Sequence, residues 1–125
     1  MSNIVAPSIL SADFGNLGSD IAMINKSQAD WIHVDVMDGH FVPNISFGMP
    51  IIDSINSLSK KPLDIHLMIS KPERYIKNFL NYNTKVLTVH LEASRHLHRT
   101  IQEIKSKGVM AGVALNPHTD VNHLI

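Results

Sequence analysis

Five stretches of this chain, beginning near residues 4, 31, 63, 86 and 111, read as short strands, and a helical pattern fills each gap between them. Strand–helix alternation with short connections implies parallel strands joined by right-handed crossovers. The strands also have two faces of different kind. One carries Val5 and Ile9; Ile32, Val34 and Val36; Leu63, Ile65, Leu67 and Ile69; Leu87, Val89 and Leu91; Val113 and Leu115. The other carries Ala6, Ser8 and Leu10; His33, Asp35 and Met37; Asp64, His66 and Met68; Thr88, His90 and Glu92; Gly112, Ala114 and Asn116. A doubly wound sheet meets helices on both faces and is about equally apolar on each. One face that is polar and small throughout predicts strands lining a barrel whose upper rim is a site.

The spacing then sets a limit. Units recur about every 27 residues, so the eight of a closed (β/α)₈ TIM barrel would need roughly 215. The fold expected is therefore α/β, the N-terminal part of such a barrel, with residues 1–125 as one partial domain truncated after a fifth strand. Open edges at strands one and five would invite self-pairing, which leaves a homo-oligomer open.

Local signals support the alternation. Ser11 and Asp13 are cap candidates for a helix with Phe14, Leu17, Ile21 and Ile24 on one side. Pro50 sits near the first turn of a second helix carrying Ile51, Ile55 and Leu58. Ser70 stands three residues before Glu73, as a capping box requires, and opens a third helix with Ile76, Phe79 and Leu80 inward. Leu97, Ile101 and Ile104 stripe a fourth, which Gly108 ends, and residues 121–125 look like the first turn of another. Pro7 is the one discordant residue within a strand.

Composition excludes several function classes. Eleven basic and eleven acidic residues leave no net charge to attract nucleic acid or anionic lipid. The absence of cysteine removes disulfides, a thiolate nucleophile and any Cys-built metal site. Ile4 already opens a strand, so neither a signal peptide nor a membrane span is expected, and the cytoplasm is the default location.

Polar groups gather at or near the C-terminal ends of the strands, where active sites of parallel α/β folds lie: Ser8, His33 and Asp35, His66, His90 and Glu92, Asn116. Residues two apart share a strand face, so His33 and Asp35 point the same way, with His66 on the same face of the next strand. Two imidazoles and one carboxylate suit Zn²⁺, Fe²⁺, Mn²⁺ or Co²⁺. Other members have plainer readings. His90 and Glu92 fit a solvated or mutually paired set at a barrel mouth, Asn116 before Pro117 an exit turn, and Met37 and Met68 core filling or a polarizable lid. Asp38 beside Gly39 reads as a turn carboxylate rather than a second base. His96, His98, His118 and His123 fall in helix or loop segments, as surface residues do.

The run His33-Val34-Asp35-Val36-Met37-Asp38-Gly39-His40-Phe41-Val42-Pro43-Asn44 resembles the signature of the ribulose-phosphate 3-epimerase family. Residues 6–14 are similar to that family's first strand, and Asp64-Ile65-His66-Leu67-Met68, His90-Leu91-Glu92-Ala93 and Ala114-Leu115-Asn116-Pro117 follow its later landmarks in order. The resemblance implies a (β/α)₈ barrel acting on D-ribulose 5-phosphate and D-xylulose 5-phosphate, a metal-dependent isomerase of the pentose-phosphate pathway. By position it implies that His33, Asp35 and His66 are metal ligands and that Asp35 is one of two proton-transferring residues. Ser8 and His66 are the implied substrate contacts, and the partner is a small phosphorylated ketose.

Inverting C3 of a 2-ketose takes one acid–base group on each side of the substrate, with a divalent ion as Lewis acid toward the ene-diolate. Each ligating imidazole also needs an acceptor on its other nitrogen. The family's second catalytic Asp, on the seventh strand, and its glycine-rich phosphate site, after strands six to eight, have no counterpart in these residues. Asn83-Thr84 stands where a Gly-Ala pair is usual. Four expectations stay open: 3-epimerisation of a pentulose 5-phosphate, 3-epimerisation of a hexulose 6-phosphate, a metal-independent sugar-phosphate enzyme of similar barrel shape, and an inactive half barrel with a structural or interaction role.

Overall fold

The computed structural model describes residues 2–125. Four strands, β1 (Ile32–Met37), β2 (Leu63–Met68), β3 (Thr84–His90) and β4 (Met110–Ala114), form one parallel sheet in the order β1-β2-β3-β4. Between and before them run α1 (Leu17–Lys26), α2 (Met49–Leu58), α3 (Ile76–Leu80) and α4 (Leu97–Ser106). Sequential order without a reversal means that successive right-handed crossovers deliver every helix to the same side of the sheet. A doubly wound sheet instead reverses at a switch point. The fold is the half-barrel arrangement of a TIM-type α/β protein.

Burial follows the alternation residue by residue. Ile32, Val34, Leu63, Ile65, Leu67, Leu87 and Val89 are completely buried, packed with Ile21 of α1, Ile52 and Ile55 of α2, Ile76 and Phe79 of α3 and Ile104 of α4. Their neighbours on β1 and β2 are only half-buried: His33, Asp35, Met37, Asp64, His66 and Met68. Burying one such branched side chain contributes about 1.5–3 kcal/mol, so the helix-side face anchors the fold and frees the other for chemistry.

The expected first strand is the main correction. Residues 5–8 run beside β1, with Val5 O accepting from Asp30 and Trp31, Pro7 O accepting from His33, and a single parallel bridge at Ser8–His33. A ladder needs donors as well. Pro7 has no N–H, and the Val5 N–H goes to the Asp30 carboxylate (2.8 Å). The chain then tightens into a 3₁₀ turn at Ile9–Ser11 capped by the Ser8 hydroxyl. The sheet therefore has four strands among the described residues, not five.

Two helix starts also differ. Asp13 caps a 3₁₀ turn at Phe14–Asn16, and α1 begins only at Leu17. The capping box at Ser70 does not form, because Lys71 takes a left-handed conformation (φ 51°) and the Ser70 N–H is donated to Asp38. A 3₁₀ turn at Pro72–Arg74 precedes the short α3 instead. In α2 the buried pair is Ile52 and Ile55, with Leu58 exposed. The expected stop of α4 holds: Gly108 adopts φ +74° and its N–H returns to Lys105 O. No helix among the described residues is long and apolar enough to cross a membrane.

Candidate metal centre

β1 and β2 pair in register without a bulge, and that register builds the site. His33 lies opposite Asp64, and Asp35 lies opposite His66. The His-x-Asp of one strand thus meets an Asp-x-His on the next, giving a checkerboard of imidazoles and carboxylates on the half-open face. His33 Nδ1 is 2.9 Å from Asp64 Oδ2, and His33 Nε2 is 2.9 Å from Asp35 Oδ1. From the other side, His66 Nδ1 approaches the same Asp35 oxygen at 3.3 Å. One ligand atom from each of His33, Asp35 and His66 lies within 4.8 Å of the other two.

The donor set fits a cation. An ionised carboxylate only accepts, and Asp64 therefore takes the Nδ1 proton of His33. A neutral His33 then turns the Nε2 lone pair toward the Asp35 oxygen, an acceptor facing an acceptor. A proton on Nε2 or a metal ion relieves that, and both compete for the same place. The Asp64 hydrogen bond, against the cost of burial, raises the His33 pKa above the ordinary imidazole value, with Asp35 adding to it. His66 shifts the other way: burial first, and then the neighbouring His90, lower it, which favours the neutral form a metal ligand needs.

The remaining expected residues divide clearly. His66 Nε2 is 2.8 Å from Nε2 of His90, and His90 Nδ1 is 3.3 Å from Glu92 Oε1, so His90 and Glu92 are paired with each other and with the cluster. Asn116 joins through its backbone, its N–H donating to Glu92 Oε2 (2.8 Å). Ser8 lies against β1 beside His33, but its hydroxyl accepts from the Leu10 N–H. Met37 and Met68 are register partners at the rim of the same face, half-buried. Asp38 is a turn residue: it accepts from the backbone of His40, Phe41 and Ser70. It borders a cavity of about 360 Å³ between the strand ends and α2–α3, lined also by Val36, Ile69 and Phe79, which contains none of the three cluster residues.

Asp64 is the site residue that sequence reasoning assigned to the right face without a role. The available signal was the reversed order of the two motifs, since His-x-Asp in parallel register with Asp-x-His puts a carboxylate beside each imidazole.

Residues 4–125 match the model of the "Ribulose-phosphate 3 epimerase family". A ribulose-phosphate 3-epimerase of Bacillus subtilis (strain 168) is 58% identical over 117 residues, covering 94% of this chain and 54% of the relative. One from Synechocystis is 53% identical over 123 residues (97% and 54%), and the chloroplastic ribulose-5-phosphate-3-epimerase of Arabidopsis thaliana is 47% identical over 121 residues (95% and 43%). The chain spans about half the length of the curated relatives it matches.

Proposed function

The chain belongs to the ribulose-phosphate 3-epimerase family, and on that premise we propose that its cluster serves metal-dependent 3-epimerisation of D-ribulose 5-phosphate to D-xylulose 5-phosphate. The observation that carries this reading is the Asp35 oxygen held between nitrogens of His33 and His66, each imidazole braced on its far nitrogen.

The ketone at C2 acidifies the C3 proton. Asp35 takes that proton as general base, and the electron pair left at C3 moves into the C2–C3 bond as charge builds on the C2 oxygen. A proton returned from the opposite face gives the epimer. The family resemblance implies that this donor and the phosphate grip come from later strands than those described. His33 Nε2, Asp35 and His66 Nδ1 would hold one divalent cation (Zn²⁺, Fe²⁺, Mn²⁺ or Co²⁺), which when bound supplies Lewis-acid stabilisation to the developing charge. Asp64 keeps His33 in the tautomer whose Nε2 faces inward. Ser8 and His66 stand at the rim as substrate contacts.

A second reading concerns the 125-residue span alone. It is a partial barrel of residues 1–125 with a single acid–base carboxylate, and it turns over no substrate by itself. The open four-stranded sheet and the half-length match to relatives favour it.

Solvent-deuterium incorporation at C3 tests both. In the full-length protein Asp35→Asn should lower exchange and turnover by about 10²- to 10⁴-fold. Wild-type turnover in that variant would remove Asp35 from the chemistry, and robust turnover by the purified 125-residue span would overturn the second reading.

A further inference from the structure

Among the described residues only His90 and Thr100 are polar and buried, and His90 is 6% exposed at the inner end of β3. Its ring packs at 5.0 Å from that of Phe41 and lies within 20° of parallel to that of His66. Two imidazole nitrogens 2.8 Å apart share one proton, so one donates and the other accepts. Which does which is decided at the far end of the chain of contacts. Burial pushes the Glu92 carboxyl upward, but hydrogen bonds from the Thr119 side chain, the Asn116 N–H and its own N–H outweigh it and hold the pKa at about 2. An ionised Glu92 accepts the His90 Nδ1 proton. With its Nδ1 proton donated to Glu92, His90 offers a lone pair at Nε2 and draws a proton onto His66 Nε2, in competition with Asp35, whose Oδ1 lies as far from His66 Nδ1 as Glu92 Oε1 lies from His90 Nδ1 (3.3 Å each). With that proton on Nε2, His66 Nδ1 is left unprotonated beside Asp35.

We propose that His90 and Glu92 are positioning residues that lock His66 in the Nε2–H tautomer, so that Nδ1 is offered permanently to the metal centre. The inference rests on the metal-centre reading of the cluster. It makes the two imidazoles unequal by construction: His33 is braced directly by a carboxylate, whereas His66 is braced by the His90 ring, which relays the Glu92 carboxylate from the turn after β3. It also ties the turn after β4, through Asn116 and Thr119, to a ligand on β2.

Long-range ¹H–¹⁵N NMR of histidine-labelled, metal-free full-length protein, above the imidazole titration range, reads the His66 tautomer directly. Wild type should show Nε2–H. His90→Phe keeps a ring and removes the acceptor; it should shift His66 toward Nδ1–H, now drawn to Asp35, and weaken Zn²⁺ binding about 10- to 100-fold. His90→Gln, whose amide oxygen can accept, should restore much of both. Glu92→Gln, at the edge of the site, should give a mixed tautomer and covers the case in which His90→Phe does not fold. An unchanged His66 tautomer in the variants that fold would overturn the inference. Failure of the wild type to bind Zn²⁺ would instead strike the metal-centre reading, and the tautomer result would still stand on its own.

Discussion

Asp35 and Asp38 stand three residues apart on one strand and its exit turn, and their carboxylates do opposite things. Asp38 is fully served: Oδ1 accepts from the N–H groups of His40 and Phe41, and Oδ2 from that of Ser70, all at 2.8 Å. Asp35 Oδ1 faces imidazole nitrogens, two acceptors once their far nitrogens have taken the protons. The first arrangement closes on itself and staples two loops. The second is complete only with a positive charge between its members. A carboxylate's role is therefore read from whether its neighbours are donors or acceptors, and not from its depth, since both residues are half-buried.

The largest effect should come from breaking Asp35. Asp35→Asn removes the proposed ligand and replaces an acceptor by an amide that can donate to either imidazole. Zn²⁺ affinity of the full-length protein, followed by calorimetric titration, should fall at least about 100-fold, while metal-free stability stays unchanged or rises. A collapse of the fold would mean that Asp35 is structural after all. Asp38→Asn should do the reverse. Its amide nitrogen would face a backbone N–H, so urea denaturation should show a loss of about 2 kcal/mol, with Zn²⁺ affinity within about twofold of wild type. Gly39→Ala sharpens the same contrast at lower cost. Gly39 holds φ +71° in the Asp38 turn, and a Cβ there would meet Ile45 Cγ1 at 2.6 Å. Cγ1 is bonded to the Ile45 Cβ, so the Ile45 rotamer must change while the new side chain bears the left-handed backbone, and the two together should cost about 1–2 kcal/mol by the same denaturation. A loss of Zn²⁺ affinity equal to that of Asp35→Asn would show that the turn and the metal centre are not separable.

Much of this was legible because period-2 patterning fixes which face a residue joins, and in parallel sheets the faces agree from strand to strand. Hence Ile32, Val34 and Val36 went to the core, and His33, Asp35 and His66 were expected together. The reading failed where a second partner competed for a backbone group. Val5 and Pro7 look like strand residues, but one N–H is taken by Asp30 and the other does not exist. Ser70 has capping-box spacing, yet its N–H was claimed by Asp38 from another strand end. The hydrogen-bond chain through His90 was hidden for a related reason. Strand spacing puts His90 and Glu92 near each other, but only the relative height of β2 and β3, with a register shift at Leu63/Asp64, brings the His90 ring to His66.

The smallest effect is also the most diagnostic of the Asp38 half of the comparison. Burial raises the Asp38 pKa, but the three backbone hydrogen bonds, with His40 nearby, lower it further, and the group ends below its ordinary 3.8. Above 3.8 the carboxylate is ionised in both folded and unfolded chains, and its stabilisation is fully present. As the pH falls below that value the unfolded chain takes up the proton first, so stability declines; once the pH passes the folded value the contribution is gone. Glu92, held at about 2, also takes up its proton in acid, so the quantity to follow is the difference between wild type and Asp38→Asn. That difference should be constant at neutral pH and shrink as the pH drops below about 4. A gap that stays constant into strong acid would mean that the staple between the two loops owes nothing to the charge on Asp38, and that the contrast with Asp35 is one of shape alone.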